Sequence, residues 1–149
     1  MPAPILSQRE LDFMLYELFD AESLAARDRY SDHSRETFDA AISTARTVAE
    51  RYFLPIRQKV DTNQPTFDGD KVQMIPEIKV ALDAVVAAGL ACPGADYDMG
   101  GMQLPAIVAS ATGAYLSAAG STTMGYIGLT VANANLIQAH GTDEQRQTW

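Results

Sequence analysis

Cysteine, basic residues and long hydrophobic runs are all scarce in this sequence of 149 residues. Cys92 is its single cysteine, so no internal disulfide can form and nothing indicates a secreted protein. Lysine and arginine number 11 against 19 acidic residues, a net charge of −8, and no basic stripe is present to neutralise nucleic-acid phosphates. The N-terminus lacks the basic and apolar regions of a signal peptide. We therefore expect a cytoplasmic protein that binds no nucleic acid.

Charge is also absent from one long segment. No Asp, Glu, Lys or Arg occurs between Met99 and Thr142. A membrane hairpin needs about 18 or more consecutive apolar residues per span, but this segment is rich in Ala, Gly, Ser, Thr and Asn and is interrupted at Gly120. We therefore predict no membrane span, and instead two helices that are buried on most sides. Because a domain of this size rarely needs two such helices, the segment is expected to meet a surface beyond this chain.

Apolar residues recur at helical spacing along the sequence, whereas no alternating Val- or Ile-rich run predicts a strand. The predicted class is all-α: a helical bundle of about five to six helices with an N-terminal extension. Residues 1–33 are expected to form the extension, a short helix plus a charged linker. Residues 34–149 are expected to form the helical domain, cut at its last helix, since the capping box at Thr142 and Gln145 begins a helix only two turns long.

Turn and cap residues set the expected helix boundaries. Ser7 and Glu10 form a capping box before the first helix, and Pro55 is expected to end or kink the second helix, which begins near Ser34. Turn residues occur at 61–65 and 68–70, and the chain is expected to lie extended across them. The remaining predicted helices run from Pro76 to Gly89, from Pro105 to Gly120 and from Thr123 to His140. Glycine stops each of them, at Gly89, Gly120 and Gly141.

Few residues are candidates for chemistry. Neither His33 nor His140 has a metal-ligating residue three or four positions away on a shared apolar face, so no metal site is predicted. Cys92 has no adjacent histidine and is interpreted as a structural thiol. Gly100-Gly101 matches no phosphate-binding motif and is interpreted as a tight turn. No catalytic residue is predicted in this chain.

Three segments nevertheless resemble the N-terminal domain of the acyl-CoA dehydrogenase family. Residues 96–105 (DYDMGGMQLP) are similar to its Tyr-Gly-Gly-rich loop, and 141–146 (GTDEQR) to its Gly-Thr/Ser-x-x-Gln-Lys/Arg segment. The opening, 3–15, resembles the N-terminal extension of a long-chain subfamily that includes the methylmercaptopropionyl-CoA dehydrogenases. Asp98-Met99 stands where many relatives have Tyr directly before Gly-Gly, and Gln103 replaces a common Gly.

The resemblance implies an FAD-dependent enzyme that removes two hydrogens from the α and β carbons of an acyl-CoA thioester, passing electrons to an electron-transfer acceptor. In the family a Glu of the C-terminal helical domain is the base, and a middle β-domain makes most flavin contacts. Both would lie after Trp149. This fragment is therefore expected to be inactive and to retain no FAD. The whole enzyme is expected to be a homo-oligomer. Its cofactor-binding residues are unknown.

By the same resemblance, the acyl-lining positions of the family fall on five residues of the last long helix: Met124, Gly125, Gly128, Leu129 and Ala132. The last four share one helical face, and the glycines leave room for a ligand. Close helix–helix packing through small residues explains the same pattern. Two other functions stay open: a free-standing helical interaction module, and a helical acyl-binding protein without flavin chemistry.

Overall fold

The computed structural model describes residues 5–148, so Ala3, Pro4 and Trp149 lie outside the described part. The described residues form six α-helices, which confirms the all-α class: α1 (Gln8–Asp12), α2 (Arg35–Val48), α3 (Arg57–Thr62), α4 (Pro76–Ala87), α5 (Ala106–His140) and α6 (Asp143–Thr148). Shorter helical turns connect them: π turns at Phe13–Leu18 and Ala49–Phe53, and 3-10 turns at Ala21–Ala26, Asp28–Tyr30, Leu54–Ile56 and Tyr97–Met99.

The N-terminal extension packs against the core of the domain. Ser7 caps α1 by accepting a hydrogen bond from the Glu10 N–H at 3.3 Å, and Leu11 and Leu15 are buried in the main apolar cluster. The hydroxyl of buried Tyr115 donates to Gln8 Oε1 at 3.1 Å. The segment predicted as a plain linker contains the two 3-10 turns between 21 and 30. It is therefore more ordered than its charge suggests.

The helix that begins at Ser34 does not end at Pro55. Ser34 and Thr37 form a reciprocal capping box, and the face predicted to be apolar is buried, including Phe38 and Ile42. The chain then continues through the π turn Ala49–Phe53, the 3-10 turn and α3. Proline lacks an N–H but tolerates the first turn of a new helical segment. Pro55 lies inside the 3-10 turn and does not interrupt the helical path of the chain.

The prediction that the domain contains no strand is wrong for a small hairpin. β1 (Thr66–Phe67) and β2 (Val72–Gln73) pair antiparallel. The Asp68 side chain accepts hydrogen bonds from the backbone N–H groups of Asp70 and Lys71, at 2.9 and 2.8 Å. This turn brings the extended flanks together, so two residues on each side pair without any alternating apolar pattern.

Glycine ends α4 as predicted. Gly89 has φ +70, its N–H donates to the Val86 carbonyl, and the Leu90 N–H donates to the Val85 carbonyl. These two bonds form a Schellman motif, in which a left-handed glycine satisfies the last helical carbonyls. Buried Leu90 then leads into the loop that precedes α5.

The two helices predicted on either side of Gly120 are both present, and a kink at that residue joins them within α5. Gly120 has φ −171 and ψ 79, outside the helical region. The first half of α5 (106–119) packs into the core through buried Tyr115 and Leu116. In the second half (121–140) only Thr123 and Ile127 are buried. The expectation that both helices are buried on most sides is thus wrong for the second half.

Candidate functional site

The five predicted acyl-lining residues lie on the exposed second half of α5. Gly125, Gly128, Leu129 and Ala132 are all exposed, and the Leu129 side chain retains 80% of its accessible surface. They share one face because they are spaced three, four and seven residues apart. Met124 differs, since it is half-buried and packs against the apolar core. We call the four exposed residues, Gly125, Gly128, Leu129 and Ala132, the outer face of α5.

The two glycines of the outer face contact no other part of the described chain. A Cβ atom built on Gly125 or Gly128 would meet nothing within 4 Å. Small residues that allow close helix packing would instead place a neighbouring helix near those positions. Within this chain, therefore, the helix-packing explanation of these glycines does not hold, and the space beside them is open.

The outer face extends further than the sequence prediction reached. Leu136, 59% exposed, and exposed His140 follow Ala132 at intervals of four residues, so they continue the same surface. Beside them, a surface concavity of about 710 Å³ lies between the end of α5 and the start of α6. Leu136 belongs to the charge-free segment, and its spacing from Ala132 was the signal that could have found it.

Capping residues fix the end of this surface. The Thr142 hydroxyl accepts from the Gln145 N–H at 3.2 Å, and the Thr142 N–H donates to Gln145 Oε1 at 2.9 Å. This confirms the predicted capping box. A Cβ on Gly141 would come within 2.5 Å of the Ile137 carbonyl oxygen, so a side chain at this position would disturb the last turn of α5.

The loop with Gly100-Gly101 is the tight turn predicted from the sequence. Gly100 has φ +78, and a Cβ on Gly101 would lie 2.0 Å from the Ala95 carbonyl oxygen. Glycine is therefore required at both positions. The backbone N–H groups of Gly100, Gly101, Gln103 and Leu104 all donate to carbonyls of the loop itself. None of these four amides is free to bind a phosphate.

Residues of the N-terminal extension hold this loop in place. Arg29 forms a 2.6 Å ion pair with Asp96, and the Gln103 side chain donates to the Arg29 carbonyl at 2.6 Å. His33 Nε2 donates to the Met102 carbonyl oxygen at 3.0 Å. His33 is thus a structural contact between the extension and the loop, a role that its charged sequence neighbourhood did not indicate.

Two tyrosines whose pKa is raised lie in packing contacts away from the outer face. Burial, and then a 2.6 Å hydrogen bond to Asp39, raise the pKa of Tyr16. Burial likewise raises the pKa of Tyr115. Among residues 5–148, no three His, Cys, Asp or Glu side chains are grouped closely enough to bind a metal, and no helix is long and apolar enough to cross a membrane.

Within residues 5–148, these features define a mostly α-helical domain with an exposed charge-free surface on the second half of α5 and a glycine-containing loop closed by its own hydrogen bonds. The model of the acyl-CoA dehydrogenase N-terminal domain matches residues 35–149. The chain therefore belongs to the acyl-CoA dehydrogenase family through this domain. No curated protein matches the chain. The extension before residue 35 lies outside the matched range.

FAD is the cofactor that this family implies, and the described residues do not fit it. Its phosphates require free N–H donors or cations, but the Gly100-Gly101 loop uses its amides internally and the outer face carries no charged side chain. We therefore derive no flavin-dependent step from residues 5–148.

Proposed function

We propose that this chain forms one wall of the acyl-binding site in an FAD-dependent acyl-CoA dehydrogenase, with the outer face of α5 against the acyl chain. The observation that carries the proposal is an exposed helix surface that has no charge and has open space beside Gly125 and Gly128. Contact between an acyl chain and such a surface is favourable, because apolar atoms of the acyl chain leave water. Met124 would contribute from the edge, since it is half-buried.

The remaining parts of the site lie in domains other than this one. A β-domain would hold FAD, and a C-terminal helical domain would supply the carboxylate that removes the α proton. The FAD held there would supply the redox chemistry of the dehydrogenation, with an electron-transfer acceptor as the partner that takes up the electrons. The role of this chain is to orient the acyl group and exclude water, which lowers the entropic cost of reaching the reactive geometry.

Further features of the proposal rest on the sequence. The extension, residues 1–33, resembles that of a long-chain subfamily that includes the methylmercaptopropionyl-CoA dehydrogenases, and residues 34–149 are assigned to the domain itself. We propose that the complete enzyme is cytoplasmic, which the single cysteine of this chain supports. We also propose that it is a homo-oligomer, as the family resemblance implies. Alone, the chain is inactive and colourless.

The test compares this chain with the same chain joined to the β-domain and C-terminal helical domain of an acyl-CoA dehydrogenase. The joined protein should show flavin absorbance and reduce an electron acceptor with acyl-CoA, whereas the chain alone should do neither. A chain that is yellow when purified alone would contradict the proposal. Tight acyl-CoA binding by the colourless chain alone would instead favour an acyl-binding module without flavin chemistry.

The proposal also predicts self-association of the chain alone. An exposed apolar surface that normally meets other domains tends to pair with another copy when those domains are absent. Sedimentation velocity over a concentration series measures this. A strict monomer at high concentration would count against the outer face as a domain-contact surface.

A further inference from the structure

The kink in α5 has a specific packing partner. Gly120 is buried, and a Cβ built on it would lie 3.4 Å from Phe53 Cδ1 and 3.6 Å from Phe53 Cβ. Phe53 is itself completely buried. The side chain of Phe53 therefore packs directly against the backbone at the point where the two halves of α5 change direction.

Phe53 reaches this position from an irregular part of its own helix. It is the last residue of the π turn Ala49–Phe53, two positions before Pro55. A π turn contains more residues per hydrogen-bonded turn than an α-helix, so it changes which side chains face inward, and such turns are frequent at functional positions. The irregular backbone of one helix thus meets the irregular backbone of the other.

A surface concavity also lies beside the kink. A concavity of about 400 Å³ is lined by Arg57 and Asp61 of α3 and by Ser117 and Ser121 on either side of Gly120. The second half of α5 then continues with only Thr123 and Ile127 buried. The buried ring of Phe53 lies where the direction changes, so it contributes to fixing the direction of that half together with the core contacts of Met124, Ile127 and Val131.

We propose that Phe53 is a positioning residue, whose ring against Gly120 fixes the direction in which the second half of α5 leaves the bundle. It would thereby orient the outer face. The importance of that orientation for acyl chains rests on the proposed function, whereas the packing of Phe53 on the kink does not.

Hydrogen exchange measured by mass spectrometry tests this in the 149-residue chain. The test variant is Phe53→Leu, and the control is Ile42→Ala, which also removes three buried carbon atoms, but from α2, three helical turns before Phe53. In Phe53→Leu, exchange should be about 5-fold faster in 121–140 and unchanged in 106–119, as expected for a local opening. In Ile42→Ala, any increase should be similar in both halves.

Cys92 gives a second readout, because it lines a shared concavity with Asn135 and Gln138 of the second half of α5. Its alkylation should be faster in Phe53→Leu than in Ile42→Ala. Equal exchange in both halves of α5, with equal alkylation in the two variants, would overturn the proposal. If Phe53→Leu does not fold, Phe53→Met replaces it under the same criteria. No acyl-CoA is present, so these results are independent of whether the proposed function is correct.

Discussion

Alanine at Gly125 or Gly128 is expected to stabilise the isolated chain. Both residues lie inside a helix, and neither has any atom within 4 Å of an added Cβ. Glycine in an exposed helix interior is less favourable than alanine by about 0.8–1 kcal/mol, chiefly because its backbone loses more conformational freedom on folding. Each substitution should therefore raise the free energy of unfolding by about that amount.

Urea unfolding followed by circular dichroism at 222 nm measures this directly. In a domain of this size, about 1 kcal/mol corresponds to a rise in Tm of roughly 2–4 °C. Gly141→Ala is the matched control on the same helix, because its Cβ would lie 2.5 Å from the Ile137 carbonyl oxygen. It should lower stability, although it adds the same methyl group.

The opposite result would refute the reasoning. If the glycines were packed against another helix of this chain, an added methyl group would overpack that contact and cost about 1–3 kcal/mol. A lowered Tm for both Gly125→Ala and Gly128→Ala, at protein concentrations where the chain is monomeric, would mean that the outer face is not free. The proposed acyl wall would then lose its main structural support.

Three further predictions concern the rest of the domain. Gly101→Ala should lower the free energy of unfolding in urea by about 2–4 kcal/mol, because the added Cβ would overlap the Ala95 carbonyl. The control Gly94→Ala should change it little, since its Cβ would lie 3.6 Å from the nearest atom, the Leu104 carbonyl oxygen. Hydrogen bonds from the backbone N–H of Lys71, and then of Asp70, lower the pKa of Asp68 to about 2. NMR should therefore show the hairpin turn intact at pH 4 and lost only as the pH falls toward 2. A midpoint of this loss near pH 4 would contradict the prediction. The pKa of Tyr16 is raised in the folded chain, chiefly by burial, so the contribution of Tyr16 to stability is complete below pH 10 and is lost as the pH rises above it. The free energy of unfolding should therefore fall between pH 8 and pH 11, and it should fall less in Tyr16→Phe.

Helix positions were predictable wherever local chemistry decides them. The cap residues Ser7, Ser34 and Thr142 and the stop at Gly89 act within a few residues of the chain, so sequence spacing was enough. Pro55 was less predictable, because whether proline ends a helix or opens a new segment depends on what the following residues pack against. The hairpin at 66–73 was missed because its turn, and not apolar alternation, brings the strands together.

The candidate site was predictable only in part. Spacing alone places Gly125, Gly128, Leu129 and Ala132 on one face, but spacing does not show whether that face is buried, and the charge-free composition indicated burial. The break at Gly120 was predictable from the glycine itself, but its contact with Phe53 joins residues 67 positions apart, a relation that no local pattern contains. Leu136 and His140 were reachable by extending the same periodicity for two more turns.

The central claim is that the outer face of α5 contacts the acyl chain, and Gly128→Leu tests it most directly. The chain is joined to the β-domain and C-terminal helical domain, and kcat/KM is measured across acyl-CoA substrates of increasing length, together with Tm. The account predicts that short substrates keep most of their turnover while long ones lose roughly 10–200-fold in kcat/KM, the range that one hydrophobic pocket can discriminate. An equal loss for all lengths that follows a lowered Tm would contradict it and leave Gly128 as a packing residue.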